Sequence, residues 1–438
     1  VTSPAPKAAR PLGLAACIAL VMGNMIGTGV FLLPAALAPY GWNAVAGWII
    51  TISGALALAW VIARLTVRLP QAKGPPAMIA QAFGPWAGFA IGWTYWISII
   101  TSNVTIAVAV VANLTPLIPM LGQTPAVGVG AALAILWSVT LLNLRGAQVA
   151  GSLQLVTLIL KLVPMVVVVV LIAAALGNGS AVIAPFPAEG LAAPAVTASA
   201  ALTLWALLGF ESASAAADKV GDPTRIIPRA TIIGTAATGA IYLFVCSGIA
   251  LLLPMAEAQS ASPFAAFVTR YWAPGPASLI ALFASISCLG ALNGWTLLQG
   301  EVPLAMARNG ELPGWIGVTD ARGTPVRALI LSSVFATLLL IANSLQGLVA
   351  IFTAMALLAT SATLWLYLGC AAAALHFRVA IPAAILGLVY ALWTLWGAGP
   401  SVSGLSLVLM LMGFPLFWWT RRRTSRLPPA QFPEDAAV

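Results

Sequence analysis

Charge is scarce in this chain. Of its 438 residues only 7% are Asp, Glu, Lys or Arg, while 61% are hydrophobic. Soluble proteins carry roughly 25% charged residues, so a water-facing surface cannot be built from this composition. Histidine is reduced to His376 alone, and cysteine to four residues, Cys17, Cys246, Cys288 and Cys370, each single within an apolar run. Neither a metal-ligand spacing nor a disulfide framework is available, and the cysteines read as small packing residues. His376, beside Arg378 near a helix end, reads as interfacial packing. The chain also lacks HExxH, GxSxG and P-loop motifs. It is therefore not read as an enzyme, and no cofactor or metal is expected. Loops are no longer than about 25 residues, too short for a soluble domain.

What is present is a succession of apolar runs of about 20 residues, each long enough to span the hydrocarbon core of a bilayer. The fold class is an all-α polytopic membrane protein. Spans are expected near 13–37, 41–66, 84–113, 125–143, 149–175, 194–217, 229–253, 276–303, 326–345, 347–371, 379–397 and 401–420, twelve in all. Nineteen basic residues against ten acidic ones leave a formal charge of +9. Their placement is informative. Lys7, Arg10, Arg64, Arg68, Lys73, Arg145, Lys219, Arg225, Arg229, Arg308, Arg322, Arg327, Arg378 and the closing Arg421, Arg422, Arg423 and Arg426 all fall on one side of this topology. Arg270 falls on the other, and Lys161 within a span. Excess Lys and Arg mark cytoplasmic loops, so both termini are expected in the cytoplasm. The positive charge is a topology signal, and no nucleic-acid partner is implied. Residues 1–12 read as a cytoplasmic tail without a signal-peptide cleavage site, and 421–438 as a polar, Pro-containing cytoplasmic tail.

The first span carries "GNMIGTG" at residues 23–29. Each glycine inside a helix costs about 1 kcal/mol relative to alanine, so three together point to a helix break. The sixth span has a matching oddity in "WALLGFESASAAA", where Gly209 precedes Glu211 and a string of small residues. An odd number of spans separates the two interruptions. Residues 13–175 and 194–371 thus read as two five-helix repeats of opposite orientation, with helices 11 and 12 (379–420) outside them. Paired breaks of this kind mark a substrate site at the membrane midplane. Freed N–H groups at the start of a half-helix suit a carboxylate, and freed carbonyls suit an ammonium. Gly23 and Gly27 also have the four-residue spacing of a close helix–helix contact. That alternative leaves Gly29 and the polar Asn24 and Thr28 unexplained.

Ionisable groups inside a membrane are costly and mark function by default. Glu211 is a candidate proton-titratable switch, or else a structural acid at the break. Lys161, within "LVTLILKLVPM", could donate to carbonyls of the broken first helix in place of a sodium ion, or else lie nearer the interface. Asn103 offers an amide to the polar end of a substrate, and Trp205 and Trp295 read as aromatic walls or as belt residues. Glu301, Asp218 and Asp222 read as loop or gate ion pairs with Lys219, Arg225 or Arg229.

The segments "GNMIGTGVFLLPA", "TYWISIITSN", "TLWALLGFESASAAA", "CLGALNGWTLL" and "RGTPVRALI" together resemble the amino acid–polyamine–organocation transporters, from about residue 12 to residue 420. Within that family they are most similar to the arginine/agmatine antiporters. The resemblance implies a leucine-transporter-like fold with discontinuous helices 1 and 6. It implies that Thr28 and Gly29 bind the substrate carboxylate, and that the carbonyls of Met25, Trp205 and Leu208 receive its ammonium. Asn24, Asn103, Ile106, Trp205, Gly209, Trp295 and Leu357 would form the side-chain pocket. Glu211 would sense protons with Tyr95 beside it, Lys161 would substitute for the sodium site, and Trp365 would be a gate. The departures are informative too. The arginine/agmatine antiporters carry a serine at the position of Leu357, a tyrosine at Trp365 and a methionine at Ile106. Pro75 and Pro76 replace a Gly and a Ser, and Lys161 resembles members that carry neutral amino acids.

The expectation is thus a multi-pass transporter of the cell inner membrane working by alternating access without sodium. Its first candidate exchange is arginine for agmatine or a related cationic pair. The alternative is exchange or proton symport of neutral, apolar amino acids. The partners are a small-molecule substrate and the bilayer, and helices 11 and 12 could either form a homodimer contact or face lipid.

Overall fold

A computed structural model describes residues 13–27, 29–72, 74–145, 160–211, 220 and 222–424. All regular structure among them is helical. The first helices are α1 (Leu14–Met25), α2 (Gly29–Leu37), α3 (Trp42–Arg68), α4 (Pro75–Phe83), α5 (Pro85–Leu114) and α6 (Pro125–Asn143). There follow α7 (Leu162–Gly177), α8 (Ala193–Leu207), α9 (Pro223–Leu252), α10 (Met255–Ala258), α11 (Pro263–Tyr271) and α12 (Pro274–Arg308). The last are α13 (Val326–Ala342), α14 (Leu348–His376), α15 (Ile381–Gly397), α16 (Pro400–Met412) and α17 (Phe414–Thr424).

Among the described residues, seven stretches are long and apolar enough to cross a membrane: α3, α5, α6, α9, α12, α14 and the combined Pro400–Arg422. The pair Leu14–Met25 and Gly29–Tyr40, bent by 45°, counts as an eighth. Four more apolar helices, α7, α8, α13 and α15, are shorter, at 15 to 17 residues. Two of these adjoin segments outside the described residues. Residues 149–159 of the span expected at 149–175 and residues 212–217 of the one at 194–217 lie there, and Lys73, Asp218, Lys219 and Arg426 are likewise outside the described residues.

Helix starts follow local chemistry. Proline opens α4, α5, α6, α9, α11, α12 and α16, where its missing N–H has no helical partner to lose and its fixed φ suits the first turn. Thr124 caps α6 by accepting from Val127 N at 3.4 Å. Asp222 caps α9 by accepting from Arg225 N at 3.3 Å, and also pairs with the Arg225 side chain at 3.8 Å. The Thr224 hydroxyl, 2.6 Å away, is the main reason that this carboxyl sits below its ordinary range. Three boundaries differ from expectation. α12 continues to Arg308, so Glu301 lies inside a helix and not at its end. The last span is interrupted at Gly413, between α16 and α17. The short α4, α10 and α11 lie between spans where only loop was expected.

α5 is the central column, packed along its length by α14 and α12. Nearly all of its residues are buried, which explains a sequence of Ser, Thr, Asn, Ala and Ile with no polar face. The peripheral helices present Leu, Val, Ile and Phe outward, as in Leu141, Val170, Phe244 and Leu386. That outer face suits lipid, because hydrocarbon replaces the apolar partners that water would demand. The four cysteines are buried and free. His376 packs its ring edge-on to Phe83, with centroids 5.7 Å apart.

Candidate functional site at two facing helix breaks

α1 stops at Met25, and Ile26 turns out of the helix with φ −74° and ψ 89° while its N–H still bonds Met22 O at 2.7 Å. α2 begins at Gly29; Thr28 lies outside the described residues. Opposite, α8 ends at Leu207. Leu208 is extended (φ −60°, ψ 140°), and Gly209 adopts φ +105°, a left-handed conformation open to glycine. The break in the first span and this break-off of α8 touch. A Cβ on Gly29 would stand 2.7 Å from Ala206 Cα, and one on Gly209 would stand 3.4 Å from Asn24 O. Glycine at these positions lets the backbones that flank the two breaks approach within van der Waals distance.

Between the breaks lies a small cavity of about 20 Å³. Its wall includes Asn24, Met25, Gly29, Ile106, Trp205, Leu208 and Trp295, all chosen from sequence, together with Gly27, Ala206 and Ala291. Trp205 Nε1 is buried there without a hydrogen-bond partner among the described residues.

The carbonyls freed at the end of α1 have side-chain donors. Lys161 Nζ donates to Gly23 O at 2.9 Å, and Tyr242 Oη donates to Met25 O at 2.9 Å. Such carbonyls would otherwise be unpaired, because the next turn of helix is missing. Lys161 is 1% exposed, so it lies inside the bundle and not at its edge. The second break is held likewise. Tyr95 Oη donates to Glu211 Oε1 at 3.4 Å, and Tyr367 Oη to Glu211 Oε2 at 3.2 Å. The Tyr367 ring stacks on Phe210 at 4.8 Å. The chain has six tyrosines, and three of them serve the two breaks. Tyr242 and Tyr367 were missed from sequence, although each is a lone hydroxyl in the middle of an apolar run.

The other expected site residues lie outside the cavity wall. Asn103 is one helical turn from Ile106, and its Nδ2 donates to Gln299 Oε1 at 2.6 Å. Leu357 is half-buried in α14. Trp365 Nε1 donates to Ser406 Oγ of α16 at 3.0 Å, which turns its indole toward the last span. Gly209 contributes its close approach to Asn24.

These features define a multi-pass helical membrane protein whose polar chemistry is gathered inside the bundle, around the break between α1 and α2 and the end of α8. The chain belongs to the amino acid permease family, whose model matches residues 12–431. It is 33% identical over 348 residues to a cadaverine/lysine antiporter of Escherichia coli (strain K12), covering 78% of this chain and 77% of that protein. It is 29% identical over 320 residues to the putrescine transporter PotE of the same strain, covering 73% of each. A PotE of Haemophilus influenzae is 26% identical over 419 residues, covering 93% of this chain and 96% of that protein. All three relatives are named as carriers and none as an enzyme, in keeping with a sequence that offers no catalytic constellation.

Proposed function

We propose that the chain is a sodium-independent exchanger of the cell inner membrane that carries a cationic amino acid against a decarboxylated amine by alternating access. Arginine and agmatine are the first candidate pair from sequence. Lysine with cadaverine, and putrescine, enter as candidates through the relatives' names. The observation that carries this reading is the meeting of the two breaks around one cavity walled by Trp205 and Trp295.

In this reading Thr28 and the start of α2 at Gly29 take the substrate carboxylate, because unpaired N–H groups at a helix start attract an anion. The carbonyls of Met25, Trp205 and Leu208 take the ammonium. Met25 O already accepts from Tyr242 and offers its second lone pair. The cationic end lies between the Trp205 and Trp295 faces, which attract a cation through the ring quadrupole, and reaches toward Asn103. Lys161 occupies the place of a bound cation, which removes the need for sodium. Glu211, with Tyr95, is the proton-sensitive acid, and Trp365 belongs to a gate. Eight long apolar spans and four shorter ones support a count of twelve, with inverted repeats at 13–175 and 194–371 rocking against each other and both termini in the cytoplasm. α15 to α17 are the surface offered to a second copy.

A second reading, a carrier of neutral amino acids, is favoured by the apolar Ile106, Leu208 and Ala291 in the cavity wall. The relatives' names weigh toward the cationic pair. Counterflow in sodium-free proteoliposomes separates the two. Labelled arginine or lysine entering only against an internal cationic amino acid or diamine supports exchange of cationic substrates. Labelled leucine entering, with arginine and lysine ignored, establishes the second reading.

A further inference from the structure

A chain of buried polar side chains runs inward from the lipid-facing α6 to the central α5. Thr140 Oγ1 lies 2.8 Å from Leu136 O and 2.9 Å from Ser333 Oγ. Ser333 Oγ lies 2.9 Å from the Gln299 amide, and the other atom of that amide lies 2.6 Å from the amide of Asn103. All four side chains are at most 1% exposed. At the inner end, Asn103 Oδ1 is buried without a hydrogen-bond partner among the described residues.

The proton in each link is dictated by the one before it. Two oxygens 2.8 Å apart repel unless a hydrogen lies between them, and Leu136 O has none to give, so the Thr140 hydroxyl hydrogen points at that carbonyl. The contact between Ser333 and Thr140 must then use the Ser333 hydrogen. Ser333 Oγ is left as an acceptor toward Gln299, which must present Nε2 to it. Gln299 Oε1 accordingly faces α5, and only Asn103 Nδ2 can meet it. The atom of Asn103 left free is therefore Oδ1, which accepts and cannot donate. Asn103 and Gln299 each stand one helical turn from a residue of the cavity wall, Ile106 and Trp295.

We propose that Gln299 is a positioning residue for substrate selection: through Ser333 and Thr140 it fixes the Asn103 amide so that Oδ1, an acceptor, meets the distal end of the substrate. An acceptor-only group favours an ammonium or guanidinium, which donates, and gives nothing to an apolar end. Without Gln299 the amide turns freely and loses this polarity. The inference rests on the proposed binding of a cationic substrate between the two breaks, and deepens it by naming what sets the preference.

The test compares lysine with norleucine, which has the same unbranched length without the distal ammonium, in sodium-free counterflow. Gln299→Met keeps the volume and removes both amide atoms. It is expected to raise the KM for lysine about tenfold, the size of a lost hydrogen bond to a charged group, and to leave the KM for norleucine within about twofold. Ser333→Ala, a milder change two links from Asn103, is expected to act in the same direction by about threefold, and covers the case in which Gln299→Met fails to fold. In an Asn103→Ala background, Gln299→Met should have no further effect, since residues acting through one another are not additive. A wild-type protein that prefers norleucine to lysine overturns the cationic reading and this inference with it. A wild type that prefers lysine, with Gln299→Met or Ser333→Ala slowing both substrates equally, overturns this inference alone.

Discussion

Lys161 Nζ and the carbonyl oxygen of Gly23 are 2.9 Å apart, although 138 residues separate them in the chain. In an unbroken helix Gly23 O would accept from the N–H of Gly27, but the helix stops at Met25. The ammonium supplies the missing donor, and it does so where hydrocarbon and protein leave no water to take the role. This pair fixes the end of α1 relative to α7.

Replacing Lys161 by Ala leaves Gly23 O without its donor and the end of α1 free to rearrange. The expected result is a fall in exchange rate of about tenfold or more, as a loss of at least ~1.4 kcal/mol implies, with the order of substrate preference unchanged. Counterflow rates for two substrates measured side by side check this. A changed preference would place Lys161 in the pocket itself.

Gly29→Ala should weaken binding of every amino acid alike. The added Cβ would stand 2.7 Å from Ala206 Cα, which is backbone and cannot swing aside. The two breaks must separate, at a cost of about 1–3 kcal/mol. Binding titrations with arginine and leucine, beside a thermal unfolding curve, should show equal losses for both ligands and a lowered Tm.

Glu211→Gln removes the one buried carboxylate held between Tyr95 and Tyr367. A neutral amide offers one acceptor oxygen where the carboxylate offers two, so one tyrosine loses its partner. Transport measured from about pH 5 to about pH 8 should become flat, since a titrating acid is what gives a rate its pH dependence in this range. An unaltered profile would return Glu211 to a purely structural role.

Glu311, in the loop after α12, gives a stability prediction outside the membrane. Burial pushes its carboxyl up to about 7, with the Arg421 guanidinium pulling it partly back. Between the ordinary value of 4.5 and 7 the folded state therefore holds more protons than the unfolded state, and stability falls as pH rises through that window. Solvent reaches this side chain, so screening reduces the effect. Glu311→Gln should match the wild type near pH 4.5 and melt at a higher temperature than the wild type near pH 8, read by thermal unfolding of the purified protein at both pH values.

The sequence made the long spans legible because they are continuous apolar runs, and α3, α5 and α6 begin and end within two residues of expectation. The break at residues 23–29 was legible because glycines cluster where a helix would avoid them. The partners of the breaks were legible in part: Lys161 reads from sequence as a donor to carbonyls of the first break, and the family resemblance puts Tyr95 beside Glu211. Nothing local to Met25 signals that Tyr242 reaches it across 217 positions. Tyr367 and Gln299 were hidden for the same reason: a polar side chain in an apolar run announces that it needs a partner, but not which one. Glu301 shows the limit at helix ends, where a charge reads as a loop or gate residue although the helix continues to Arg308.

The central claim is that substrate crosses by exchange at the site between the two breaks. Its most direct measurement is efflux of labelled arginine or lysine from sodium-free proteoliposomes, with and without agmatine or cadaverine outside. The account predicts slow loss into plain buffer and a several-fold acceleration when the amine is present. Efflux at the same rate in both buffers, or only when sodium is added, would contradict it.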